Sequence, residues 1–162
     1  MIVVHHLNDS RSQRILRLME ELALPYEIKH YKRMETRLAP PELQAIHPVG
    51  KSPVITDNGK TIYESGAIID YVIRRHGGGR LQPDPKTPAY DDYQMWLHYA
   101  EGSAMLPLML NLYVSRLGEA GKPLHPRIDS EIANHLGYID RHLAGREFLL
   151  DEFSGADIQL SF

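Results

Sequence analysis

The chain has 162 residues, 43% of them hydrophobic and 24% charged, so it can bury a core and is not a disordered tail. Its 18 basic and 21 acidic residues give a formal net charge of −3, which gives no electrostatic reason to expect nucleic acid or an anionic membrane as the main partner. Cysteine is absent, which excludes disulfides, thiolate metal sites and a cysteine nucleophile. No run approaches the roughly 18 apolar residues of a membrane helix and no signal peptide is recognisable, so we expect a cytoplasmic protein.

Residues 1–76 alternate strand-like and helix-like segments. Residues 2–4 predict a short buried strand, 26–31 predict a second strand, and Pro40 opens a short helix that ends before Pro48. A helix is predicted between the two strands, because one face at the i, i+3, i+4, i+7 spacing is formed by Ile15, Leu18, Met19 and Leu22.

A β-hairpin and a third helix complete this half of the chain. Asn58 and Gly59 tolerate the positive φ of a tight turn and stand between the β-rich segments 54–56 and 61–63. One helix face is then formed by Ala67, Ile68, Tyr71 and Val72. The predicted order is β-α-β-α-β-β-α, an α/β sandwich.

A glycine- and proline-rich stretch over residues 77–88 predicts a linker between a domain over 1–76 and a domain over 89–162. Beyond it the pattern is helical. The first long helix has Tyr93, Trp96, Leu97, Ala100 and Ala104 on one face, and Pro107 is expected to kink it. We expect a loop over residues 118–126, followed by a helix whose stripe is Ile128, Ile132, Leu136, Ile139 and Leu143.

The last segment begins a helix. Ser154 and Asp157 have the spacing of a capping box, flanked by Phe153 and Ile158 at the staple positions. The chain stops at Phe162, about two helical turns later. We therefore expect that the sequence is cut short.

Three segments of the α/β half could carry chemistry. In residues 8–14, Asn-Asp-Ser-Arg-Ser-Gln-Arg, Ser10 either caps the first helix with Gln13 or, with the helix N-terminus, holds an anion. In residues 50–54, Gly-Lys-Ser-Pro-Val, a proline begins a strand. In residues 64–66, Glu-Ser-Gly either caps the next helix or receives the ammonium and carboxylate of an amino-acid group.

Together and in this order, these segments resemble the glutathione S-transferase family, of the serine-dependent kind common in bacteria. The resemblance covers essentially the whole chain and also rests on residues 47–54 (His-Pro-Val-Gly-Lys-Ser-Pro-Val), 63–68 (Tyr-Glu-Ser-Gly-Ala-Ile) and 153–158 (Phe-Ser-Gly-Ala-Asp-Ile). It implies an α/β thioredoxin-like N-terminal domain followed by an all-α C-terminal domain. It also implies a glutathione transferase that conjugates glutathione, its co-substrate, to small electrophiles in detoxification.

The resemblance assigns roles to individual positions. Ser10 occupies the place of the group that contacts the glutathione sulfur and is the catalytic candidate. Asn8 is also expected to bind glutathione, and Asn8 and Ser12 are near enough to compete with Ser10 for the sulfur. Pro53 would be a cis-proline, and the main-chain groups of Ser52 would pair with the cysteinyl part of glutathione. Lys51 is expected to contact the glycyl carboxylate. The γ-glutamyl group would be held by Glu64 and Ser65.

Several positions depart from related classes. His5 stands where some carry a catalytic tyrosine, and Gly66 stands where several carry a basic residue. Family members continue for several more helices, which wall part of the electrophile pocket, so the helical domain is expected to be incomplete.

The resemblance implies a homodimer, and it leaves two other functions open. One is a non-catalytic binding or assembly module, and the other is a glutathione-dependent peroxidase, isomerase or dehalogenase. Metal binding is not expected, because the adjacent His5 and His6 point to opposite faces of a strand. His98 and Glu101 are three apart on a helix, but no second such pair completes a site.

Overall fold

The computed structural model describes residues 1–161, which divide into two compact units. One comprises Met1–Asp84 together with Ser161, and the other comprises Pro85–Leu160. The boundary between Asp84 and Pro85 lies within residues 77–88, the predicted linker. Within residues 1–161, no helix is long and apolar enough to cross a membrane.

The first unit has the predicted element order. Its elements are β1 (Ile2–Leu7), α1 (Ser12–Glu21), β2 (Tyr26–Tyr31), α2 (Pro41–Gln44), β3 (Val54–Asp57), β4 (Lys60–Tyr63) and α3 (Ser65–His76). The four strands form one sheet in the order β2-β1-β3-β4. β1 runs parallel to β2 and antiparallel to β3, and β3 runs antiparallel to β4. This is the thioredoxin-like arrangement.

The core of this unit lies between the sheet and the apolar faces of α1 and α3. The four residues predicted to share the buried face of α1 are at most 1% exposed. On α3 the buried apolar side chains are Ile68, Ile69, Val72 and Ile73. Burying each such side chain contributes about 1.5–3 kcal/mol, so the apolar periodicity is sufficient to hold both helices against the sheet.

The predicted β3–β4 hairpin is confirmed. Asp57 pairs with Lys60, and the two residues between them, Asn58 and Gly59, have φ values of 46° and 81°. Two successive positive φ angles are the requirement of the primed turn that matches the twist of the flanking strands. The local sequence therefore determines the register of this hairpin.

The second unit is helical. Its α-helices are α4 (Pro88–Tyr99), α5 (Met105–Val114), α6 (His125–Leu143) and α7 (Gly155–Leu160), with a π-helical turn over Ala100–Ala104 and a 3₁₀ helix over Ser115–Leu124. The irregularity expected near Pro107 takes the form of the π-helical turn just before it. Proline lacks an N–H and its ring clashes with the carbonyl four residues earlier, which disfavours a continuous α-helix there.

The prediction of a loop over residues 118–126 is wrong. Within the 3₁₀ segment only Gly118 leaves helical geometry, with φ 57° and ψ −128°. α6 begins at His125, with Pro126 in its first turn, where the missing N–H has no intrahelical partner to lose. Glycine and proline here mark one kink and one helix start instead of a loop.

The capping box at the start of α7 is confirmed. The Asp157 carboxylate accepts hydrogen bonds from the Ser154 N–H at 2.8 Å and from the Ser154 hydroxyl at 3.0 Å. The same carboxylate accepts the Leu149 N–H at 2.9 Å, and the Ser154 hydroxyl accepts the Ala156 N–H at 3.2 Å. The box therefore also anchors the segment that precedes the helix.

Candidate functional site

Three serine hydroxyls, those of Ser10, Ser12 and Ser52, form a cluster at one end of the sheet, hereafter the hydroxyl cluster. The Ser10 Oγ lies 2.8 Å from the Ser12 Oγ and 3.2 Å from the Ser52 Oγ. It also donates a hydrogen bond to the Leu7 carbonyl oxygen at 2.7 Å. Ser10 and Ser52 are half-buried, whereas Ser12 is fully buried.

The sheet topology explains why residues far apart in sequence meet here. β1 ends at Leu7 and runs antiparallel to β3, with His5 paired to Val54 at the first residue of β3. The segment that leaves β1 therefore passes the segment that enters β3. Pro53 is buried directly before β3, its peptide bond with Ser52 is cis, and the Ser52 hydroxyl donates to the His5 carbonyl at 3.4 Å.

The capping-box interpretation of Ser10 with Gln13 is wrong. The N-cap of α1 is Arg11, and no side chain caps the helix. The Ser10 Oγ instead accepts the N–H of Ser12 at 3.3 Å and faces the other two hydroxyls. Ser10 thus lies just before the positive end of α1, where the helix dipole favours an anion.

The two competitors of Ser10 are engaged within the protein. The Asn8 Oδ1 accepts the N–H of Arg33 at 2.7 Å, and its Nδ2 donates to Asp9 at 3.0 Å. Ser12 is 0% exposed. Both residues therefore support the loop around Ser10, and Ser10 retains more access to solvent than Ser12.

The start of α3 contains Glu64 and Ser65. Glu64 is exposed and has a φ of 69°, an uncommon backbone conformation for a residue other than glycine. Ser65 is 3% exposed, and its Oγ accepts a hydrogen bond from the Arg14 guanidinium at 3.4 Å. Arg14 is itself buried, so its positive charge adds to that of the helix N-terminus. Such a location suits a carboxylate.

Lys51 is exposed and follows Gly50, which has a φ of 60°. A Cβ on Gly50 would approach the Gln44 Cγ to 2.7 Å, so both the backbone conformation and the space around it favour glycine. Neither Lys51 nor Glu64 belongs to the hydroxyl cluster. Lys51 directly precedes Ser52, Glu64 directly precedes α3, and both side chains are exposed.

One residue of this region was missed by the sequence analysis. The His6 Nδ1 lies 2.8 Å from the Ser12 Oγ, which extends the hydroxyl cluster to an imidazole. Its ring meets that of His30 edge to face at 5.5 Å. Burial, and secondly the charge of His30, lower the pKa of His6. The alternation along β1 is the sequence signal for this residue, because it separates the environments of His5 and His6.

His5 has a different environment. It is buried, its Nδ1 lies 2.9 Å from the Tyr31 hydroxyl, and its Nε2 lies 3.3 Å from the Thr56 hydroxyl. Burial, and secondly the charge of Lys29, lower its pKa. These contacts join three strands, so His5 has a structural role. In the described part of the chain, residues 1–161, no three His, Asp or Glu side chains form a group that could hold a metal ion.

The family model described as "Glutathione S-transferase, N-terminal domain" matches residues 4–80. Glutathione S-transferase 3 of Schizosaccharomyces pombe is 37% identical, and the alignment covers 100% of this chain and 72% of that protein.

Solved structures agree with this relationship. A glutathione S-transferase from Actinobacillus pleuropneumoniae superposes with a TM-score of 0.88 at 34% identity, covering 100% of this chain and 75% of that one. A glutathione transferase family member from Pseudomonas fluorescens with two glutathione bound has a TM-score of 0.83 at 28% identity, covering 98% of this chain and 73% of that one. On these grounds the chain belongs to the glutathione S-transferase family.

Proposed function

We propose that this chain binds glutathione, stabilises its thiolate beside Ser10 and transfers the sulfur to small electrophiles. The observation that carries the proposal is the hydroxyl cluster, in which Ser10 and Ser52 lie 3.2 Å apart although 42 residues separate them in sequence. Ser10 also stands at the N-terminal end of α1, and glutathione is bound in a related structure of the same fold.

The energetic requirement is modest. A free thiol has a pKa of about 8.5, so only a few per cent is thiolate at neutral pH. Lowering the pKa by about two units takes roughly 2.7 kcal/mol. A charge-assisted hydrogen bond contributes about 1.5–3 kcal/mol, and a helix N-terminus adds about 0.3–1 kcal/mol. One hydroxyl donor at the start of α1 is therefore sufficient.

The reaction needs no nucleophile from the protein, which agrees with the absence of cysteine. The thiol proton passes to solvent when the thiolate forms. The sulfur then shares its electron pair with an electrophilic carbon to form a thioether. In a substitution the leaving group departs with the electrons of its own bond, and in an addition to an activated double bond the carbanion takes a proton from solvent.

The remaining parts of glutathione would bind around this point. The main-chain N–H and C=O of Ser52 would pair with the cysteinyl unit, and Lys51 would meet the glycyl carboxylate. Glu64 and Ser65 would hold the γ-glutamyl ammonium and carboxylate, since Ser65 stands at a helix N-terminus with Arg14 beside it. Asn8 would shape the loop. We also propose a homodimer, which light scattering on the purified chain tests.

The experiment is glutathione titration by calorimetry in buffers of different ionisation enthalpy between pH 6 and 9, together with ultraviolet absorbance of the bound thiolate. We expect the wild-type chain to release a proton on binding near neutral pH. Ser10→Ala should raise the thiol pKa of bound glutathione by about 1–2 units and lower kcat/KM towards an activated aryl halide about 3- to 25-fold at pH 7, in proportion to the thiolate lost. Ser115→Ala is the matched control, since Ser115 is exposed in the helical unit.

Two outcomes distinguish the candidate functions, and a third tests the role of Ser10. Binding without proton release and without turnover would favour a non-catalytic module. Binding with a lowered thiol pKa, but with turnover of a peroxide and none of an aryl halide, would identify a peroxidase. Unchanged turnover in Ser10→Ala would show that the assignment of Ser10 is wrong.

A further inference from the structure

A chain of three hydrogen-bonding groups runs from the half-buried His6 on β1 through Ser12 to Ser10. It begins at the His6 Nδ1, which lies 2.8 Å from the Ser12 Oγ. It continues to the Ser10 Oγ, also 2.8 Å from the Ser12 Oγ. Ser12 is fully buried, so its hydroxyl exchanges no hydrogen bond with bulk water. The direction of its single proton therefore depends on these neighbours.

Counting protons shows that His6 decides this direction. If the His6 Nδ1 is bare, it accepts the Ser12 proton, and the Ser12 oxygen then competes for the proton of Ser10. If the Nδ1 carries a hydrogen, it donates to Ser12, and the Ser12 proton is free to point to Ser10. Each hydroxyl has one proton to donate, so the two arrangements exclude each other.

The second arrangement favours a thiolate, because it adds the Ser12 O–H to the Ser12 N–H that the Ser10 Oγ already accepts at 3.3 Å. In the structure the Ser10 proton is directed to the Leu7 carbonyl oxygen at 2.7 Å. A thiolate must take that proton over, and Ser10 donates more strongly when its own oxygen accepts a hydrogen bond, because aligned hydrogen bonds polarise one another. The Ser12 Oγ also lies 3.5 Å from the Leu7 carbonyl oxygen, but in this arrangement its single proton is directed to Ser10.

We propose that His6 is a positioning residue which, through Ser12, orients the Ser10 hydroxyl towards the glutathione sulfur. The inference rests on the proposed function of Ser10. The productive chain runs from the His6 Nδ1–H to Ser12, from Ser12 to Ser10, and from Ser10 to the sulfur. His6 itself does not touch glutathione in this arrangement.

His30 provides a control within the same strand pair. It is the partner of His6 in the β1–β2 register and meets its ring edge to face at 5.5 Å, but it is exposed. Its positive charge opposes protonation of His6. Removing His30 takes away an imidazole of the same kind while leaving the His6–Ser12–Ser10 chain in place.

The test measures the thiol pKa of bound glutathione by ultraviolet titration in the full chain, with the dissociation constant and pH profile of kcat/KM alongside. His6→Leu and Ser12→Ala should each raise the thiol pKa by about one unit, from about 6.5 to about 7.5, which is a roughly threefold loss of thiolate and of kcat/KM at pH 7. At a pH low enough to keep the thiol protonated, the dissociation constant of glutathione should change less than about threefold. His6→Asn places an amide N–H near the position of Nδ1 and should restore most of the shift. His30→Leu leaves the chain in place and removes a charge that opposes protonation of His6, so it should not raise the thiol pKa.

The double variant of His6→Leu and Ser12→Ala should lose no more than either single variant, because both break one chain. Additive losses would contradict the inference. A Ser12→Ala variant with the wild-type thiol pKa would also contradict the inference. If circular dichroism shows His6→Leu to be misfolded, the Ser12→Ala variant alone decides the test. These results leave the proposed function intact as long as Ser10→Ala still raises the thiol pKa. If the wild-type chain itself holds no thiolate, the proposed function fails and this inference fails with it.

Discussion

The buried carboxylate of Asp57 should be one of the largest polar contributions to the stability of the first unit. Asp57 is the last residue of β3, and its side chain is 2% exposed. Its Oδ2 accepts the Tyr71 hydroxyl at 3.1 Å and lies 2.8 Å from the His76 Nε2. Both partners are on α3, so one carboxylate joins the sheet to the end of that helix.

The expected cost of Asp57→Asn follows from these contacts. Hydrogen bonds to a charged acceptor contribute about 1.5–3 kcal/mol each, and an amide can still accept one of the two. We therefore expect a loss of about 2–3 kcal/mol in the free energy of unfolding at pH 7. The N-terminal ammonium lies 3.9 Å from Oδ1 but is 56% exposed, so its share should be at most a few tenths of a kcal/mol.

The same contacts make this contribution dependent on pH. Burial alone raises the pKa of Asp57, but the hydrogen bonds from His76 and Tyr71 outweigh it, so the pKa is lowered overall. A carboxyl with a lowered folded-state pKa stabilises the protein above its unfolded-state pKa of about 3.9. The stabilisation should disappear as the pH falls through the folded-state value. The stability difference between wild type and Asp57→Asn should therefore shrink in acid.

The assay is urea unfolding followed by circular dichroism, at pH 7 and at several acidic values. Asp70→Asn is the matched control, because Asp70 forms a partly exposed pair with Arg74 at 2.8 Å on α3. It should change stability by no more than about 0.5 kcal/mol. Equal effects of the two substitutions at pH 7 would refute the reasoning, as would a difference that grows on acidification.

Two further predictions concern a glycine with a positive φ and the capping box of α7. Gly50→Ala should destabilise the first unit by about 1–3 kcal/mol, measured by urea unfolding, because it combines a positive φ with a Cβ placed 2.7 Å from the Gln44 Cγ. Adding Gln44→Ala should recover only part of the loss, and full recovery would show that φ is not the cause. Asp157→Ala should lower the stability of the helical unit by about 2–3 kcal/mol in thermal unfolding, since two N–H groups and a hydroxyl lose their acceptor. The exposed Glu152→Ala is its control, and a similar change in both would contradict the role of the box.

Patterns over a few residues were sufficient where a local rule decided the conformation. The apolar spacing of α1, the Asn58–Gly59 turn and the Ser154–Asp157 box all appear as predicted. In each case the interacting groups are within a few positions of one another. The same reasoning failed at residues 118–126, because glycine and proline are compatible with a helix kink and a helix start as well as with a loop.

The sequence by itself determined the α/β-then-helical order and, through short segments in the right order, the family. It also placed Ser10, Ser52 and Ser65 among the candidates. Only the tertiary structure decided that Ser10 faces Ser52 instead of capping α1, that Arg14 is buried beside Ser65, and that His6 reaches Ser12. The contacts of Arg14 and His6 join α1 to α3 and β1 to α1. For Ser10 and Ser52, the physical reason is that the strand order β2-β1-β3-β4 brings the end of β1 to the start of β3. Contacts across that junction join residues whose separation in sequence follows no period.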